Sequence, residues 1–107
     1  MGVNILINHS TTIKPYTSIG NNVHIDHDCF VGSRVIVNKN AHIGTNSRLN
    51  PNVSIGSNTI LKENITVDEG VMIGNYCEIL KRNFICSMDI ANRTLILENI
   101  PNPIMTI

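Results

Sequence analysis

A chain of 107 residues with no net charge and only 15% charged residues presents no basic footprint for nucleic acid and no polybasic patch for a membrane. The length suits a single domain. No apolar run approaches transmembrane length and no signal-peptide pattern opens the chain, which points to the cytoplasm. With aromatics at 4% and no Trp, the core must be built from Ile, Val and Leu.

Residues 1–6 lead in, and Ile5 and Ile7 fit as a first inward-facing pair. From Ile7 every sixth residue is aliphatic, in one phase and without a miss: Ile7, Ile13, Ile19, Ile25, Val31, Val37, Ile43, Leu49, Ile55, Leu61, Val67, Ile73, Ile79, Ile85. The residue after the aliphatic is Gly at Gly20, Gly32, Gly44, Gly56 and Gly74. The third after it is Asn22, Asn40, Asn46, Asn52, Asn58 or Asn64, with Asp28 and Gly70 in the same column. The fourth is small or β-branched, as at Thr11, Val23, Cys29, Ala41, Ser47 and Cys77.

Residues two apart on a strand point the same way, so Val23 and Ile25, for example, both face inward. Asn and Gly tolerate φ > 0, so the third position reads as a corner between short strands. Three such hexads make one triangular coil, and coils stack as parallel strands: a hexapeptide β-helix. A helix fails, because a period of six throws successive apolar residues to opposite sides of a 3.6-residue turn. The fold class is therefore all-β, with residues 1–84 forming about four coils. Cys29 and Cys77 fall in the small, inward column and no pair has C-x-x-C spacing, which reads as buried, reduced thiols; Cys86 lies beyond the repeat.

After Ile85 the repeat stops. Residues 85–107 are expected to form a strand and tail that cap the last coil. Leu95–Leu97 is the strand, and Pro101 and Pro103 end it. So short a solenoid exposes strand edges and buries little per coil, so oligomerisation is expected to help.

The four histidines fall in two columns. His9 and His27 lie one coil apart at equivalent outward corners, and His24 and His42 lie one coil apart at outward strand positions. His27 stands out by its neighbours, Asp26-His27-Asp28-Cys29-Phe30-Val31-Gly32. A histidine flanked by carboxylates can be held in one tautomer, as a general base must be.

The run Ile25 to Gly32, set in an unbroken hexapeptide array, resembles the sialic acid O-acetyltransferases and UDP-amino-sugar N-acetyltransferases. That resemblance covers about residues 5–85. It implies a left-handed winding, an exception to the usual crossover hand, and a homotrimer. It implies acetyl-CoA as co-substrate and a sugar or nucleotide-sugar hydroxyl or amine as acceptor. By the same likeness His27 is the general base and Asp28 the acid that orients it. Asp26 is the second candidate for that acid and is expected on the substrate side, and Gly44, Thr45, Ser57 and Asn58 are expected to meet the cofactor. His9, one coil of about 4.8 Å from His27, is expected by that spacing to be its substrate-side partner. No metal is implied. The pattern departs at Ile36, where those proteins carry a second histidine, and at Thr45-Asn46 and Ser57-Asn58, where they are richer in glycine. Two other readings stand beside this one. One is a trimeric hexapeptide scaffold without catalysis. The other is a metal enzyme similar to the γ-class carbonic anhydrases, whose His-x4-His spacing is absent here.

Overall fold

A computed structural model describes residues 2–80, 84–85 and 90–96. Among the described residues, fifteen two-residue strands run in three parallel sheets, one on each side of a triangular prism. The first sheet holds β1 (Leu6–Ile7), β4 (His24–Ile25), β7 (His42–Ile43), β10 (Ile60–Leu61), β13 (Glu78–Ile79) and β15 (Leu95–Ile96). The second holds β2 (Thr12–Ile13), β5 (Phe30–Val31), β8 (Arg48–Leu49), β11 (Thr66–Val67) and β14 (Phe84–Ile85). The third holds β3 (Ser18–Ile19), β6 (Ile36–Val37), β9 (Ser54–Ile55) and β12 (Met72–Ile73). Residues one coil apart pair directly, as in Ile25↔Ile43 and Val31↔Leu49. This is the expected left-handed parallel β-helix of about four turns.

The inward columns are where the repeat puts them. Val23, Ile25, Val31, Ile43, Leu49, Ile55 and Leu61 are each at most 1% exposed and stack into one core. Every described residue in the corner column, from Asn4 to Tyr76, has φ near +60°, or +77° at Gly70. The left-handed conformation has a purpose there. It turns the corner N–H toward the preceding coil, as in Asn40 N to Asn21 O at 2.9 Å and Asn58 N to Lys39 O at 3.0 Å. Cys29 and Cys77 are free and buried, as their column requires.

The end of the helix differs from the sequence expectation. The repeat resumes at Ile90, which bridges Ile73, and β15 pairs with β13 through Glu78↔Leu95 and Ile79↔Ile96. The offset there is 17 residues instead of 18, as the contacts Asn75 N to Asn92 Oδ1 (17) and Ser57 N to Asn75 Oδ1 (18) show. One residue fewer in that coil shifts the phase, so the six-residue count loses a segment that still packs: Ile90 is 5% exposed and Thr94 2%. The expected strand at Leu95 is present within this resumed coil. Cys86 and the tail with Pro101 and Pro103 lie outside the described residues.

Candidate active site

The corner between the first and second sheets carries the column His9, His27, Thr45 and Glu63. Stacking there follows from the pairing. The His9 and His27 rings lie 5.1 Å apart at an interplanar angle of 7°. Asp28 occupies the left-handed corner itself, with φ +62°, and this turns its carboxylate back on its neighbour. His27 Nδ1 lies 2.8 Å from Asp28 Oδ2. A carboxylate only accepts, so Nδ1 donates and the Nε2 lone pair is left facing outward. About two-fifths of the His27 side chain is exposed (43%), so this lone pair is within reach of a ligand. His9 Nδ1 lies 3.4 Å from Ser10 Oγ and has no carboxylate partner among the described residues.

Thr45 sits one coil beyond His27, at a strand spacing of about 4.8 Å. Its neighbour Asn46 donates its N–H to the His27 carbonyl at 3.3 Å. The Thr45 N–H donates to no acceptor among the described residues. Histidine lone pair and amide donor thus lie along one edge of the prism.

The other expected site residues are placed differently. Asp26 turns away from His27. Its Oδ2 accepts from His42 Nε2 at 3.2 Å and its Oδ1 from Asn8 Nδ2 at 3.2 Å, while His24 Nε2 lies 3.1 Å from Oδ1. Gly44 is buried, its N–H donates to Leu61 O at 2.7 Å and its carbonyl accepts from Cys29 Sγ at 3.1 Å. A Cβ at Gly44 would fall 1.0 Å from the Lys62 carbonyl oxygen, so glycine is required there by packing alone. Ser57 and Asn58 lie at the corner between the third and first sheets, a different edge of the prism from His27. Their amides are used within the solenoid, Ser57 N to Asn75 Oδ1 at 2.7 Å and Asn58 N to Lys39 O at 3.0 Å.

Sequence reasoning missed the cleft on the first sheet. It has a volume of about 440 Å³ and is lined by Asp26, His42, Thr45, Ile60, Leu61, Lys62, Glu63 and Leu80. Its signal was present, since His24 and His42 share a column and Asp26 stands two residues after His24. Burial pushes the Cys29 thiol above its ordinary pKa, against a smaller opposing pull from the Ser47 backbone hydrogen bond. That thiol is a packing group and not a nucleophile at neutral pH.

Residues 16–51 match the family bacterial transferase hexapeptide (six repeats). No curated protein matches the chain. Among solved structures, the acetyltransferase domain of PglB from Neisseria gonorrhoeae in complex with acetyl coenzyme A is similar, with a TM-score of 0.66 at 14% identity over 87% of this chain and 54% of that one. A mutant perosamine N-acetyltransferase from Caulobacter crescentus, in complex with CoA and GDP-perosamine, gives 0.62 at 21% over 85% and 51%. PerB from Caulobacter crescentus with the same two ligands gives 0.55 at 19% over 85% and 52%. The chain spans about half the length of these proteins, and the likeness is one of fold. The repeat matched over residues 16–51 and the architecture shared over most of the chain agree on the fold, a parallel β-helix of hexapeptide coils.

Proposed function

We propose that this protein transfers an acetyl group from acetyl-CoA to an amine or hydroxyl of a sugar or nucleotide sugar, with His27 as general base. The observation that carries the reading is the Nδ1 contact to Asp28 at 2.8 Å, which leaves an exposed, oriented Nε2 on the same edge as the unused Thr45 amide. His27 Nε2 takes a proton from the acceptor as its nitrogen or oxygen attacks the thioester carbonyl. The Thr45 N–H stabilises the oxyanion. The intermediate collapses with cleavage of the C–S bond, and the CoA thiolate leaves and takes up the proton. His9, stacked on His27, borders the acceptor. Acetyl-CoA and a sugar nucleotide are what the similar solved proteins bind, and both are cytoplasmic metabolites, which fits a chain with buried, free thiols.

Calorimetry with acetyl-CoA, followed by CoA release with amino- and hydroxy-sugar nucleotides, tests the reading. About one site per chain is expected. His27→Ala should lower turnover by about 10²–10⁴-fold while leaving acetyl-CoA binding unchanged. Retained turnover would refute the base assignment, and absence of acetyl-CoA binding would favour the non-catalytic scaffold.

A further inference from the structure

We propose that His24, Asp26 and His42, on the outer face of the first sheet, form a three-ligand site for a divalent cation of the zinc class. Each residue offers one donor atom, and the three atoms lie within 4.8 Å of one another. Zinc binds imidazole nitrogen and carboxylate oxygen at about 2.0–2.2 Å, so neighbouring tetrahedral ligands sit about 3.3–3.5 Å apart. The observed nitrogen–oxygen separations are 3.1 Å from His24 and 3.2 Å from His42 to Asp26, so two edges of the tetrahedron are nearly at size. The third edge, between the two imidazole nitrogens, is at most 4.8 Å and has to close toward that size. The two rings stack 4.6 Å apart at 3°, and a cation must lie close to the plane of each ring it binds, so the rings have to tilt toward each other. Both side chains are partly exposed, 38% and 42%, which leaves room for that tilt.

A second observation points the same way. His24 Nε2 is shielded from solvent yet makes no hydrogen bond among the described residues, because its 3.1 Å approach to Asp26 is out of line. A shielded ring nitrogen without a partner is costly, and a bound cation would satisfy it. Asp26 is already oriented by Asn8 Nδ2 at 3.2 Å, the kind of outer contact that holds a metal carboxylate in place. Two imidazoles and one carboxylate select zinc, copper or nickel over magnesium or calcium, which want oxygen cages. Three protein ligands leave a fourth position open, and two of the three, Asp26 and His42, also line the cleft beside Ile60, Leu61 and Lys62. The other histidine pair is the internal contrast. His9 and His27 stack as well, but their Nδ1 atoms go to Ser10 and Asp28 separately, and no carboxylate is shared. His27 and Asp28 give no donor to the cation, so this site stands or falls apart from the acyl-transfer reading.

The test is titration of Zn²⁺ into the untagged, chelator-stripped full chain near neutral pH, read by calorimetry. One saturable equivalent per chain is expected. His42→Ala and Asp26→Asn should each weaken it by at least about tenfold, and His27→Ala should leave it unchanged. Circular dichroism checks that the variants fold. Co²⁺ added to the unmutated chain gives a readout that needs no variant, with the visible bands of a tetrahedral nitrogen–oxygen site. No saturable binding, no such bands, or binding that survives His42→Ala would overturn the proposal, as would binding lost in His27→Ala instead.

Discussion

His27 and Asp28 are adjacent in sequence, and adjacent side chains on a strand diverge. They meet because Asp28 sits at a corner with φ +62°, where the backbone turns from one side of the prism to the next. The pair is therefore a product of the corner, and Asp28 acts by positioning His27. Asp28→Ala should lower kcat less than removal of the base does, leave acetyl-CoA affinity unchanged and alter the pH profile of turnover; a flat response in both kcat and profile would remove Asp28 from the proposed site. Cys29 lies one residue further and turns inward, donating to the Gly44 carbonyl at 3.1 Å. Its folded pKa is raised by burial, so folding favours the neutral thiol. That contribution is intact below the unfolded thiol value of about 8.5 and fades as pH climbs toward the folded one. Alkylation of native protein at mildly alkaline pH should be slow at Cys29 and become fast only with unfolding, which peptide mapping after timed quenching would read. Rapid native labelling of Cys29 would contradict its burial.

At the scale of the strand and corner, each two-residue strand gains little alone, and stability comes from the stacked inward column. Ile43 has 0% exposure and sits between Ile25 and Leu61 in neighbouring coils. Burying an Ile is worth about 1.5–3 kcal/mol, and an unpaired carboxylate in its place costs several more. Ile43→Asp should abolish the cooperative thermal transition; a melt near that of the parent chain would show the register to be wrong. The inward phase was legible in sequence because burial permits only aliphatic residues at that position. The histidine stacks were legible because residues one coil apart superpose. The partners of Asp26 were not, since its contact with His42 runs diagonally, 16 residues along the chain. The packing role of Gly44 was hidden for a related reason: a glycine needed to clear the Lys62 carbonyl looks in sequence like one needed to clear a ligand. The return of the coil at Ile90 was hidden because a single missing residue moves every later position off the six-residue count.

For the whole molecule, the three outer faces differ. The first carries His24, His42 and Glu78, and the second carries Phe30 with Arg48 stacked 4.3 Å over its ring. The third presents Ser18, Ile36, Ser54 and Met72, with no charge among them, and Ile36 and Met72 are 45% and 57% exposed. The prism measures 32 × 20 × 20 Å and has a narrow core, so an uncharged face of this kind is a natural contact for another copy. The homotrimer that the family resemblance implies would bury it, and acetyl-CoA would then lie in a groove shared by two neighbouring copies. Because Ile36 points outward from its own coil, a charge there should change the stability of a single chain by only about 0.5 kcal/mol. Ile36→Asp should therefore convert trimer to monomer in light scattering, keep the fold by circular dichroism, and lose acetyl-CoA binding with the interface. A monomeric parent chain would remove the shared groove, and a trimeric Ile36→Asp variant would move the interface to another face of the prism.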